Sequence, residues 1–167
     1  MSTYRTAFLG ILLALMVVAT TLEVVFLTPF MPPLVKLGFA NIIVMFAVLA
    51  IGRKEAVILN SMKSVFVLVI RGPVAGLMSF SGGMISVLII ILLVTYLSER
   101  RASFITLGVV GAFFHNLGQI SIAAWLMNFS EIIFYIPVLL VAGTIAGVIT
   151  GTLLKSLMPI LARVYQI

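Results

Sequence analysis

The chain has 167 residues, 63% of them hydrophobic and only 8% charged, with a mean hydropathy of +1.37. Soluble domains run nearer 45–50% apolar and about 25% charged, so this composition argues against a water-soluble fold, and so much apolar surface argues against disorder. The formal net charge of +6 comes from ten basic residues, which in so apolar a chain read as topology signals rather than a nucleic-acid patch.

A membrane-spanning helix takes about 20 apolar residues. Reading apolar runs against their punctuation predicts six such segments, all α-helical, forming one integral membrane domain over residues 1–167. Helix 1 is expected from Arg5 to Leu27, as a retained span rather than a cleaved signal, because no small-residue cleavage site precedes Thr28-Pro29. The prolines of Thr28-Pro29-Phe30-Met31-Pro32-Pro33 end it, lacking a donor and clashing with the preceding turn. Helix 2 follows from Val35 to Ile51 and stops at Gly52-Arg53-Lys54. Helix 3, Glu55 to Ile70, carries Asn60, Lys63 and Ser64 inside it and ends at Arg71-Gly72-Pro73; it is the least apolar, and a break there is plausible. Helix 4 runs from Val74 to Leu97, with irregularity expected at Ser79-Phe80-Ser81-Gly82-Gly83. Helices 5 and 6 are placed at Ser103 to Met127 and Ile132 to Met158.

Charge placement fits that count. With the N-terminus cytoplasmic, the inner ends hold Arg5, Arg53, Lys54, Arg100, Arg101, Lys155 and Arg163, against Lys36 and Arg71 outside. That alternation follows the positive-inside rule and puts both termini in the cytoplasm. Small residues recur on two helices: Gly143, Gly147 and Gly151 on helix 6, and Ala7, Gly10 and Ala14 on helix 1. In lipid such faces let backbones approach closely, either within the monomer or against a partner membrane protein.

Polar groups inside a bilayer are costly and usually face a cavity or a partner. Asn60 and Lys63 are i, i+3 neighbours on helix 3, and Arg71 lies eight residues beyond Lys63 on roughly the same face. His115, Asn116 and Gln119 form a second group on helix 5. Lys36 and Asn41 sit at the start of helix 2, and Glu23 in the outer third of helix 1. Together they predict an outward-facing, positively biased pocket. In it Lys36, Lys63 and Arg71 neutralise a carboxylate or phosphate, and Asn41, Asn60, His115, Asn116 and Gln119 supply directional hydrogen bonds. Phe80, Phe113, Phe114, Trp125 and Tyr135 are candidate flat walls. Each has a plainer reading. Lys36 and Arg71 suit snorkelling to headgroups, and Lys63 an interface if helix 3 is short. Glu23 suits pairing with a lysine, the helix 5 trio a fastening between helices, and Trp125 and Tyr135 an aromatic belt.

Chemistry of other kinds finds little support. There is no cysteine, and one histidine and four acids are too few for a conventional metal centre. No aspartate occurs, so the paired aspartates that bind magnesium diphosphate in prenyl-chain synthesis are missing. No catalytic set and no nucleotide-binding glycine loop is recognisable, so neither an enzyme nor a resident cofactor is expected.

The runs Lys36-Leu37-Gly38-Phe39-Ala40-Asn41, Ser81-Gly82-Gly83 and, above all, His115-Asn116-Leu117-Gly118-Gln119 resemble those of a bacterial membrane family called "Gx transporter" or "heptaprenyl diphosphate synthase component I". The likeness continues through Tyr135-Ile136-Pro137 and the helix 6 glycines, from about residue 5 to 155. That family is similar to the substrate-binding S components of energy-coupling factor (ECF) transporters. The resemblance implies a six-helix fold with both termini inside, and a pocket near the outer face under the loops after helices 1, 3 and 5. It also implies partners, a transmembrane coupling protein and two cytoplasmic ATPases that use the ATP, with Ala7, Gly10 and Ala14 as the docking face. The expected function is uptake of a small, anionic vitamin or cofactor precursor across the bacterial cytoplasmic membrane. The alternative is an accessory protein of quinone- or flavin-linked electron transport or of isoprenoid-quinone synthesis.

Overall fold

A computed structural model describes residues 3–27, 30, 37–97, 103–126, 134 and 136–165, and among them every regular element is a helix. Helix α1 (Thr3–Leu22) ends in a π-helical turn, Glu23–Leu27. Helix α2 (Phe39–Phe46) likewise runs into a π-helical turn, Ala47–Ile51. Helices α3 (Arg53–Arg71), α4 (Pro73–Leu97), α5 (Phe104–Leu126) and α6 (Ile136–Tyr165) follow. Four stretches are long and apolar enough to cross a membrane: Thr3–Leu27, Pro73–Leu97, Phe104–Leu126 and Ile136–Val164. The chain is a multi-pass membrane protein. The remaining two helices depart from that standard for different reasons. The first, α2, is short but apolar, and α3 carries Arg53, Lys54, Glu55, Lys63 and Arg71.

The packing follows from which helices tolerate solvent-free surroundings on every side. Helices α3 to α6 pack each on the next in chain order, while α2 touches α1, α3, α4 and α6. Accordingly α2 is apolar apart from Asn41, with Ile42, Val44, Met45 and Phe46 buried, as is Ala47 in the turn that follows. Phe46 meets the ring of Phe8 edge-on at 6.5 Å. Around this pair Leu12, Met16, Leu59, Ile90, Leu107 and Leu154 close a core to which α1 to α6 all contribute.

At one end of the bundle, Arg5 of α1 bonds the Ile51 carbonyl at 3.1 Å and pairs with Glu55 of α3 at 2.7 Å. The Tyr4 hydroxyl donates to the Val164 carbonyl at 2.6 Å, so the start of α1 and the end of α6 share that end. Of the basic residues counted on this side, Arg53, Lys54, Lys155 and Arg163 lie within α3 and α6, while Arg100 and Arg101 fall outside the described residues.

Two points that the sequence leaves open are answered here, and one boundary is corrected. Helix 4 is unbroken through Ser79–Gly83, and helix 3 is unbroken through Asn60–Ser64. Gly82 and Gly83 are contact points rather than breaks. A Cβ on Gly82 would lie 2.6 Å from the His115 carbonyl, and one on Gly118 would lie 2.7 Å from the Gly82 Cα. Gly82 and Gly118 thus let α4 and α5 meet backbone to backbone, which offsets their intrinsic helix penalty, while Gly83 makes room for the Asn60 amide of α3. Helix 6 does not stop at Met158 but continues through Pro159 to Tyr165. The glycines of α6 face α5, which assigns Gly143, Gly147 and Gly151 to packing within the chain.

Candidate functional site

The end opposite Arg5 is polar inside. A cavity of about 50 Å³ opens there, bounded by the end of α1, the start of α2, and α3, α4 and α5. Each wall has a local reason for its position. Gly38 adopts φ +74°, a left-handed conformation that favours glycine, and it turns the chain into α2 so that Asn41 faces inward. The buried Glu23 carboxylate accepts the Gly38 N–H at 2.8 Å and the Phe39 N–H at 3.3 Å. It satisfies donors that a helix start leaves orphaned, and its negative charge suits the positive end of the helix dipole.

Lys63 of α3 is 4% exposed and donates to Asn41 Oδ1 at 3.2 Å. The lysine lies at mid-helix, and its side chain turns into the bundle. Arg71, two turns further on, lines the same cavity but is exposed, and among the described residues no carboxylate pairs with it. From α5, His115 and Gln119 sit one turn apart with His115 Nε2 3.1 Å from Gln119 Nε2. The pair bonds either through the amide donating to a bare Nε2 or, with the amide turned, through its oxygen accepting an Nε2–H. Asn116 lines the cavity and also donates from Nδ2 to the Leu139 carbonyl of α6 at 3.0 Å. One member of the helix 5 trio therefore does fasten helices.

The structure thus brings together Asn41, Lys63, Arg71, His115, Asn116 and Gln119, with Glu23 beside them. Lys36 lies outside the described residues. Asn60 is a correction: it is fully buried but turned toward α4, with its amide against Gly83, and it does not line the cavity. Both of its amide atoms lack a hydrogen-bond partner among the described residues. Among the described residues none of the expected aromatic walls lines the cavity. Phe80, Phe113 and Trp125 are exposed on the outside of the bundle, Phe114 stacks edge-on against Phe113 at 5.4 Å, and Tyr135 lies outside the described residues. The apolar lining is aliphatic instead: Val24, Leu37, Ala40, Val67 and Ala112. Sequence reading missed Ser79 and Thr20, small hydroxyl residues inside apolar helices that carry no signal of their own.

Among the described residues the cavity holds two cations, Lys63 and Arg71, against one anion, Glu23. Both Glu23 oxygens take backbone N–H groups at the start of α2, and the balance of charge around the cavity is positive. The arrangement can hold an anion and orient it with amide and imidazole groups.

Replacing Glu23 by Gln is expected to lower the thermal unfolding midpoint by several degrees. One charge-assisted bond to the start of α2 is lost and an amide NH₂ is turned toward backbone donors, an effect of about 1–3 kcal/mol. Thermal denaturation in detergent checks it; an unchanged midpoint would remove Glu23 from the role of anchoring α2.

The family model described as heptaprenyl diphosphate synthase component I matches residues 12–157 of this chain. No curated protein and no solved structure matches it.

Proposed function

The chain belongs to the heptaprenyl diphosphate synthase component I family, and from that premise we propose that it is the substrate-binding membrane subunit of an ECF-type importer for a small anionic vitamin or cofactor precursor. One observation carries the reading: Lys63, Arg71, His115 and Gln119, from two separate helices, line one cavity with Asn41 of a third. Burying an ammonium group in a bilayer is costly, and doing so beside hydrogen-bonding groups at an accessible cavity is what recognition of an anion requires.

In this reading the chain recognises its ligand and does not transform it. It contains no aspartate with which to bind a magnesium diphosphate in the manner of prenyl-chain synthesis. Six spans with both termini cytoplasmic suit the positive-inside rule, since Arg53, Lys54, Lys155 and Arg163 flank the end where α1 begins and α6 finishes. The cavity then faces outward. Ala7, Gly10 and Ala14 are exposed on α1, and a Cβ on Gly10 would meet nothing within 4 Å. That face is the proposed docking surface for a transmembrane coupling protein, which two cytoplasmic ATPases would drive.

The test is affinity purification of the tagged chain from its native membranes, with native mass spectrometry of the product. A coupling protein, an ATPase pair and a retained anionic small molecule are expected. Recovery of redox subunits with no ATPase would overturn the reading in favour of an electron-transport accessory role.

A further inference from the structure

Beside the polar cavity, a groove of about 130 Å³ runs between the last turns of α1 and α3. Its walls come from matching helical positions: Thr20, Thr21, Val24 and Val25 on α1, and Phe66, Val67, Ile70 and Arg71 on α3. Thr20, Val24, Val67 and Arg71 line both spaces, so the two are separated only by side chains they share. The Thr21 hydroxyl is satisfied by the Val17 carbonyl at 2.9 Å. Apart from Arg71 and Thr20, which also line the polar cavity, the groove is apolar. Val25 and Ile70 are 56% and 66% exposed, which makes the groove open on the outer, lipid-facing side of the bundle rather than toward its axis.

We infer that the ligand is a single-chain anionic amphiphile, whose charged head occupies the polar cavity and whose short hydrocarbon tail lies in the α1–α3 groove. This rests on the anion-binding reading above and narrows it. A cavity of about 150 Å³ holds a benzene molecule, so the groove has room for roughly six carbons. A free inorganic anion would leave it empty, and a two-chain lipid would overfill it. Arg71 lines both spaces and so stands where head and tail join. The groove also supplies a lateral way in from the bilayer, through which the tail need never cross water.

The experiment compares ligand pairs that differ only in the tail, by calorimetry on the full chain in phosphatidylcholine nanodiscs. Hexyl phosphate is expected to bind at least about tenfold tighter than inorganic phosphate, and hexanoate likewise than acetate, from the apolar area buried. Hexanol should bind far more weakly than either hexyl anion. Val25→Trp and Ile70→Trp, at exposed positions that line the groove alone, should remove the tail's advantage while leaving acetate and phosphate binding as they were. Equal affinities within each pair would overturn the amphiphile while leaving the anion site standing. The tail's advantage persisting in both tryptophan variants would overturn the groove as its seat. Hexanol binding as tightly as hexyl phosphate would overturn the anionic head. No binding of any of these anions would overturn this inference together with the reading beneath it.

Discussion

The Gly108→Leu variant is expected to lose most of its folded population. A Cβ at Gly108 would collide with the Gly147 carbonyl oxygen and stand 2.8 Å from the Gly151 nitrogen. The contact is reciprocal, since a Cβ on Gly147 would lie 2.5 Å from the Val109 Cα and one on Gly151 2.6 Å from the Phe104 carbonyl oxygen. All of these neighbours are backbone, so no rotamer change relieves the clash and α5 and α6 must separate along their whole contact. Within lipid no hydrophobic drive holds separated helices together; close packing is the attraction itself. Overpacking costs about 1–3 kcal/mol where side chains can yield and more where they cannot. Thermal unfolding and size-exclusion chromatography of the purified variant measure it. Gly10→Leu is the control, because that position is open on α1: it should fold normally and, if α1 carries the docking face, lose only the partner proteins. A Gly108→Leu protein with an unchanged melting point would overturn the description of this interface.

The Lys63→Met variant should lose about tenfold to a hundredfold in affinity for an anionic probe, the worth of a charge-assisted hydrogen bond, without loss of folded protein. Methionine fills the volume of the lysine stem, and removing a buried ammonium removes its desolvation penalty, which offsets the loss of its contacts, the bond to Asn41 Oδ1 among them. The melting point is therefore expected to hold or rise while binding falls. Parallel loss of folding and binding would make Lys63 a structural residue, and unchanged binding would remove it from the site.

The apolar helices were legible because length and composition suffice: α1, α4, α5 and α6 appear as long uncharged runs. The heart of the cavity was legible too, since Lys63 and Arg71 are spaced eight apart and His115 and Gln119 four apart, which fixes a shared helix face. Asn60 shows the limit of that argument. Three residues from Lys63 is a rotation large enough to aim the amide at Gly83 instead of the cavity. The aromatic residues misled for a different reason: in lipid a phenylalanine gains little by turning inward, so Phe80 and Phe113 face out. The anchoring of α2 by Glu23 joins residues 15 apart across a stretch without helical periodicity, and no spacing rule announces it. Nor does sequence distinguish Val25 or Ile70, in the groove, from any other valine or isoleucine bathed in hydrocarbon.

Helix α1 grips α2 at both ends with opposite charges. Glu23 takes the N–H groups at its beginning, and Arg5 takes the Ile51 carbonyl at its finish. Each charge has the sign that the polarity of the helix favours at that end. The pair behaves as a single lever, unable to slide or tilt one rod without the other. Any motion that opens the site must therefore swing both together against the rest.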